Sequence, residues 1–293
     1  MLPFKRILFP VDFSDSSSAL APDVIAIAQK FAASVIVLHA FELVPEYNLA
    51  PRVDAPFGPE PGEFPYVPSL QELREIRESR LREFVRNHLA GIEARTIVED
   101  GDPARVIESV ARQEKIDLVM MSTRGKGRFR RMLMGSLTAK VLHDVECPVY
   151  TSPHEPGEKP PSPDGFRTIL CAVSMEPESE ALLRFAASLA RAFESRICLV
   201  HIHTAGKPGR HEATAAEVRK AFEQALAKVE DGSVATNVRI LNAAVPEGIR
   251  QAAIEEAADL VVVGRGHARS SISRIWSQMY TIIRESPCPV VSV

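Results

Sequence analysis

The densest set of residues able to hold an anion lies in Asp117–Val149. An apolar run, Asp117-Leu118-Val119-Met120-Met121, gives way to Ser122-Thr123-Arg124-Gly125-Lys126-Gly127-Arg128-Phe129-Arg130-Arg131. Gly135-Ser136 follows, with a helical pattern through Leu137, Val141 and Leu142, and the stretch closes on Cys147-Pro148-Val149. A short buried strand, a glycine-bearing basic loop and a helix opening at Gly-Ser form the local build of a phosphate site. The first N–H groups of a helix have no partner inside it, the helix dipole adds partial positive charge, and glycine lets the backbone approach an anion closely. A plain strand–loop–helix connection with glycines for turning uses the same residues, so the loop alone leaves the two accounts level. It is not a Walker A loop, because Lys126 is followed by Gly127, and it is not the dinucleotide G-x-G-x-x-G.

The loop also carries Arg124, Lys126, Arg128, Arg130 and Arg131 without a single acid. That charge complements a triphosphate. Five cations cannot all reach one ligand, however, and a solvated face accounts for most of them. A nucleic-acid surface lacks support, since Phe129 is the one aromatic among them.

The elements that must position this loop occur twice. Lys5-to-Ala40 aligns with Arg167-to-Ile202 at a constant offset of 162, so that Ile7-Leu8 falls on Ile169-Leu170, Phe31 on Phe193 and His39 on His201. Asp117-Leu118-Val119 matches Asp259-Leu260-Val261, and Cys147-Pro148-Val149 matches Cys288-Pro289-Val290. Between the copies, residues 153–165 carry five prolines and read as a linker, dividing the chain into 1–152 and 166–293. In copy one the pattern gives strands at Arg6–Val11, Val35–Phe41, Ala94–Val98, Asp117–Met121 and Pro148–Thr151. Helices fall at Ser16–Phe31, from Ser69, and at Pro103–Gln113. Ser69-Leu70-Gln71-Glu72 is a capping box, and its helix shows a stripe of Leu70, Leu73, Ile76, Leu81, Phe84, Val85 and His88. Copy two repeats the order, with strands near Thr168–Val173, Arg196–His201, Val238–Leu241, Leu260–Gly264 and Val290–Val293. Alternating β and α with near-continuous apolar strands argues an α/β fold with parallel sheets covered on both faces, in one of several doubly wound orders.

Gly125, nine intervening residues and Gly135-Ser136, with Ser122 three before Gly125, resembles the G-x2-G-x9-G-S/T signature of nucleotide-binding universal stress proteins. The first glycine of that pattern is Ser122 here. Pro10-Val11-Asp12-Phe13-Ser14 and Leu38-His39-Ala40 extend the resemblance, which covers nearly the whole chain, twice. It implies two tandem five-stranded parallel sheets of order 3-2-1-4-5, the Rossmann-like adenine nucleotide α-hydrolase-like fold. Ligand would sit at the carboxyl ends of strands one and four, where the order reverses. It implies ATP or a related adenine nucleotide, with or without Mg2+, in copy one, and packing of the two copies as a pseudo-dimer, with a homodimer of chains also allowed.

Asp12 ends strand one, and the family sets this aspartate, beside Pro10, against the adenosine part. Its plain structural account is a cap for the next helix, for which Asp15 and Ser16 are better placed. The resemblance places the backbone of Ala40 at the adenine and Met121 along the base, although Met121 serves equally as a core residue. Ser122 and Gly125 match the ribose and phosphate positions, and Gly135-Ser136 the phosphates at a helix start. His39 and His201 read as strand-end residues with no metal partner.

Copy two departs at these positions. Asp12 becomes Ser174, His267 replaces Gly125, and Gly135-Ser136 falls on Trp276-Ser277, where an indole removes the room that glycine gives. Copy one alone carries Val44–Pro68, with seven prolines and Tyr47, Phe57, Phe64 and Tyr66, an insert that leaves the ligand edge of the sheet.

The chain has 293 residues, 45% hydrophobic and 25% charged, with a formal net charge of −3. Two ordinary domains fit this length, and a general nucleic-acid binder is not indicated. No apolar run reaches membrane-spanning length, and Met1–Arg6 leads into a strand with no export signal, so a cytoplasmic protein is expected. Cys147, Cys171, Cys198 and Cys288 show no metal spacing and read as buried, reduced thiols. The expected function is a nucleotide-responsive stress or regulatory protein. The rivals are a slow ATPase, for which no positioned base, Walker carboxylate or nucleophile elbow is visible, and a nucleotide-free scaffold.

Overall fold

The computed structural model describes residues 4–42, 69–123, 135–152, 165–174, 179–203, 216–217, 220, 224, 236–265 and 272–293. The insert 44–68, the basic loop with Gly125, the linker up to 164 and the His267 loop lie outside the described residues. Copy one supplies β1 (Arg6–Pro10), α1 (Asp15–Phe31), β2 (Ser34–Phe41), α2 (Leu70–His88), β3 (Ala94–Asp100), α3 (Pro103–Gln113), β4 (Leu118–Ser122), α4 (Ser136–Asp144) and β5 (Val149–Ser152). Copy two supplies β6 (Thr168–Ala172), α5 (Ser179–Phe193), β7 (Arg196–His203), β8 (Thr236–Asn242), α6 (Val245–Glu255), β9 (Leu260–Val263), α7 (Ile272–Glu285) and β10 (Val290–Ser292).

These strands form one ten-stranded sheet of order β3-β2-β1-β4-β5-β10-β9-β6-β7-β8. Each half has the expected 3-2-1-4-5 order, and all neighbours run parallel except β5 and β10. Because strand residues alternate faces, the sheet builds two cores. Ile7, Phe9, Val37 and Met120 face the side of α1, α2 and α5, with Ile169 and Leu199 of copy two. Leu8, Leu38, Val119 and Val149 face the other side, with Leu170, Val200 and Val261. Each core therefore runs through both copies.

The β5–β10 pair sets Val290 against Thr151, Val291 against Tyr150 and Ser292 against Val149. Tyr150 thus faces its own repeat equivalent, Val291, and a pseudo-twofold axis passes through that pair. Side chains follow the symmetry: Thr151 Oγ1 donates to Val290 O at 3.1 Å, and Ser292 Oγ to Val149 O at 3.4 Å. On one face Phe4 packs edge-on against Phe31 (5.1 Å) and Phe166 against Phe193 (5.0 Å), and Phe31 meets Phe193 at 5.6 Å across the copies. Phe4 and Phe166, and Phe31 and Phe193, are equivalent pairs at the offset of 162.

Local determinants repeat as well. Asp117 accepts the N–H groups of Lys5 and Arg6, and Asp259 those of Arg167 and Thr168, each at 2.8–2.9 Å. Ala32 and Glu194 take the left-handed conformation after α1 and α5 (φ 49° and 56°), as Lys115 and Ala257 do after α3 and α6. The copies differ where Asp23 accepts a 2.6 Å hydrogen bond from the fully buried Tyr150 hydroxyl. Copy two has the apolar Phe185 and Val291 at those positions.

Two expectations need correction. The capping box at Ser69 forms, but Leu70 and Ile76 are 63% and 58% exposed, and His88 is exposed. The stripe facing the sheet is Arg77, Leu81 and Phe84, with the exposed Arg74 reaching the sheet from its margin. Arg74 donates to Val98 O at 3.2 Å, and Arg77 stacks on the Phe41 ring at 4.2 Å. Cation–π contact and backbone acceptors let arginines hold positions that an apolar count assigns to leucine. The cap of α1 is Ser14, which accepts from Ser17 N, rather than Asp15 or Ser16.

The four cysteines form no disulfide, and Cys171, Cys198 and Cys288 are buried. Burial pushes the Cys171 and Cys288 thiols up to about 12 and those of Cys147 and Cys198 to about 11, and it raises the Tyr150 phenol well above its ordinary value. An unfolded thiol ionises near pH 8.5. Between there and the folded values the unfolded chain binds fewer protons than the native one, so stability falls as pH rises. The contribution is complete below about pH 8, and each fully buried thiol then removes about 1.4 kcal/mol per pH unit. Urea midpoints at pH 7.5, 9 and 10 should fall steeply at the alkaline end, and less steeply in Cys171→Ala. Equal slopes for the two proteins would refute the assignment.

Candidate functional site

The order reverses between β1 and β4, and the chain ends gathered there are those of β1, β2 and β4. Leu8 pairs with Val119 and Pro10 with Leu38. That register brings Met121 and Ser122 level with Pro10 and Val11, and sets Ala40 just beyond Leu38 on the other neighbour. Of the expected site residues, Pro10, Asp12, Ala40, Ser122, Gly135 and Ser136 lie at or beyond this carboxyl edge, and Pro10, Asp12, Ala40, Ser122 and Gly135 are half-buried, with Ser136 exposed. Met121 is 4% exposed and belongs to the core beside Leu8, Leu38 and Val119. Gly125 lies outside the described residues.

Asp12 sits just before a strained residue. Phe13 has φ 58°, a conformation costly to a side chain with a Cβ. Its ring packs on His39 at 4.4 Å, while Arg80 lies over it at 4.5 Å. The reversal at Phe13 folds the chain back, so that Asp12 Oδ1 accepts from Ser14 N (3.0 Å) and Ser17 Oγ (2.8 Å). Copy two keeps this tie without the charge, as Ser174 Oγ lies 3.1 Å from Ser179 Oγ, the equivalent of Ser17. The hydroxyl tie alone therefore does not require a charge, whereas the counterpart of the bond from Ser14 N lies outside the described residues.

His39 is tied to the same turn. Its Nδ1 lies 2.8 Å from Val11 O, which can only accept, so Nδ1 carries the proton. Nε2 then accepts from Arg77 Nη1 at 3.3 Å. Desolvation first, and Arg80 second, lowers the Arg77 pKa, and its Nε is buried with no partner among the described residues. His201 repeats the backbone contact, 3.0 Å from Val173 O. Sequence reasoning missed Arg77. Its place four residues before Leu81 and seven before Phe84, on the buried face of the helix, was its only signal.

At the other wall, β4 hands over to α4. Thr123 is buried and its N–H and hydroxyl reach Ser152 O at 3.2 and 3.3 Å. Its carbonyl accepts the Gly135 N–H at 3.2 Å, and Thr138 Oγ1 donates to Ser122 O at 3.4 Å. The start of α4 is thus fixed to the end of β4. Gly135 is the N-cap, and no side chain among the described residues caps the helix. Its φ of −59° suits any residue, and an added Cβ would meet Thr123 O and Thr138 Oγ1 only at 3.7 Å, ordinary contact. Neither backbone conformation nor crowding by the described residues calls for glycine here. Among the described residues this leaves a helix N-terminus without a side-chain cap, an arrangement fitted to an anion.

No group of three or more His, Cys, Asp or Glu able to hold a metal occurs among the described residues. None of their helices is long and apolar enough to cross a membrane. A cleft of about 340 Å³ opens at the opposite end of α4, lined by Glu108, Arg112, Lys115, Asp144 and Cys147 among others. Its charges are mixed, and it lies at the amino ends of β4 and β5, away from the switch point.

Because Gly135 forgoes a side-chain cap, Gly135→Ser should stabilise the chain by about 0.5–1 kcal/mol, from the new cap and a less disordered unfolded state. Urea denaturation measures this. A loss above about 1 kcal/mol would show that the fold itself needs glycine there.

The universal stress protein family model matches residues 3–153 and again 165–293. A universal stress protein of Methanocaldococcus jannaschii is 30% identical over 147 residues, 50% of this chain and 80% of that protein. One from Thermus aquaticus is 32% identical over 147 residues, 50% of this chain and 96% of its own length. The crystal structure of an Archaeoglobus fulgidus universal stress protein superposes with a TM-score of 0.70 at 22% identity, covering 98% of this chain and 95% of that one, which is a likeness of fold. With the family matched twice, and with two doubly wound halves joined at their fifth strands, the chain belongs to the universal stress protein family as a tandem member.

Proposed function

We propose that the chain binds one adenine nucleotide, ATP or a close relative, in copy one, and acts as a nucleotide-responsive regulatory protein of the stress response. The observation that carries this reading is the start of α4. Gly135 is fixed beside the ends of β1 and β4, lacks a side-chain cap and is not required by the backbone. A polyphosphate would take the N–H groups of Gly135, Ser136 and Leu137, with the Ser136 hydroxyl as a further donor. Asp12 would face the adenosine part from the β1 turn, and the backbone of Ala40 would meet the base. Mg2+ would accompany the phosphates, with its charge partner supplied by the nucleotide.

The asymmetry of the copies supports a single site. Ser174 lacks the charge of Asp12, and Trp276-Ser277, which align with Gly135-Ser136 in sequence, lie inside α7 rather than at its start. The chemistry calls for no turnover: binding, release and a change in the surface around the site suffice for a regulator.

Calorimetric titration with ATP should give a stoichiometry of one per chain, and two would overturn the asymmetry. Gly135→Trp should abolish binding while leaving the unfolding free energy from urea denaturation within about 1 kcal/mol of the parent, since the position lies outside both cores. Unchanged affinity in that variant would remove Gly135 from the phosphate position.

A further inference from the structure

The segment after β9 is the repeat equivalent of the segment after β4, with Leu260–Gly264 corresponding to Leu118–Ser122 and Arg265 to Thr123. The backbone role is kept: Thr123 N donates to Ser152 O at 3.2 Å, and Arg265 N to Val293 O at 2.8 Å. The side chains differ. Thr123 turns back into its own copy, whereas Arg265 crosses the pseudo-twofold axis and reaches the carboxyl end of α4 in copy one. Its Nη1 donates to Leu142 O at 3.0 Å and to Val145 O. Its Nη2 donates to Glu146 O at 3.3 Å and to Cys147 O.

A helix leaves its last carbonyls without internal partners, and guanidinium is the side chain with enough fixed donors to serve several at once. Burial draws the Arg265 pKa below its ordinary value, opposed by Cys147 alone, so the four carbonyls repay a real desolvation. A second contact comes from the same copy: Tyr280 OH lies 3.5 Å from Ala139 O, midway along α4. Helix α4 is therefore held at both ends by equivalent residues, by Thr123 O at Gly135 N and by Arg265 at Leu142–Cys147.

We infer that Arg265 is a positioning residue for the ligand site of copy one. By fixing the far end of α4 from the second copy, it sets where Gly135 and Ser136 stand. The helix has nine residues, about 13 Å at its usual rise, too short to absorb a displacement of one end without moving the other. The degenerate copy then has a role in binding without a ligand of its own: its former ligand loop has become the brace of its neighbour's. This inference rests on the nucleotide reading above.

The test uses the full chain with Arg265→Ala, Arg265→Lys and, as a control, Ile249→Val, which removes one buried methylene in α6 of copy two. ATP affinity is measured by calorimetry well below the unfolding temperature, and hydrogen exchange is followed at the amides of Leu137–Asp144 without nucleotide. Arg265→Ala is expected to weaken ATP binding roughly fivefold or more and to speed exchange along α4. Arg265→Lys should recover part of both, and Ile249→Val should change neither. A brace that serves stability alone would lower the urea midpoint of Arg265→Ala and leave ATP affinity at the parent value, which would overturn the inference. Parental exchange in α4 would overturn it too, and that arm holds even if the parent chain binds no ATP, a result that defeats the nucleotide reading by itself.

Discussion

Two short strands, β5 and β10, meet antiparallel at Tyr150 and Val291, and the remaining relations between the copies follow from that pairing. Each is the last strand of a doubly wound half, with one edge already paired inside its own copy. An open apolar edge is a hazard in water, and joining the two removes both at once. Because equivalent residues face one another, the contact has the self-complementary character of a twofold interface built within a single chain. The phenylalanine quartet on one face and the α4–α7 contact on the other are consequences of that axis.

Duplication also separates what the fold needs from what a ligand needs. Features present in both copies hold strands and helices together: Asp117 and Asp259 under the strand starts, the left-handed residues after four helices, and the histidine contacts to Val11 O and Val173 O. Features confined to copy one are the charge of Asp12 and the bare glycine at the head of α4. Of the contacts that Asp12 makes, the one to the Ser17 hydroxyl recurs between Ser174 and Ser179 without a charge. The glycine is not explained by its backbone conformation or by crowding among the described residues. Both lie at the carboxyl edge of the sheet where the strand order reverses, the place that doubly wound folds offer to ligands.

Much of this was legible in the residues. The constant offset between copies exposed the duplication, near-continuous apolar strands indicated parallel sheets, and the family resemblance implied that the copies pack as a pseudo-dimer. The phosphate build at Gly135-Ser136 could be read from spacing, whereas its tie to Thr123 O could not, since a backbone hydrogen bond leaves no trace in side-chain type. The inner stripe of α2 was misread because Arg77 takes a sheet-facing position by stacking and by donating to a histidine, while Arg74 donates to a backbone acceptor from the margin. Arg265 was invisible for another reason. Its four acceptors are main-chain carbonyls about 120 positions away across the axis, and only the folded pairing of β5 with β10 brings them within reach.

The central claim is that the head of α4 in copy one is an adenine nucleotide site and that its equivalent in copy two is not. Amide chemical shifts followed through an ATP titration test it residue by residue. The account predicts the largest shifts at Gly135–Thr138 and Asp12–Ser14, saturating at one nucleotide per chain, with the amides of Ser174 and Gly264 nearly unmoved. Shifts of equal size at both sets of positions, or none at Gly135–Thr138 when ATP is in excess, would contradict it.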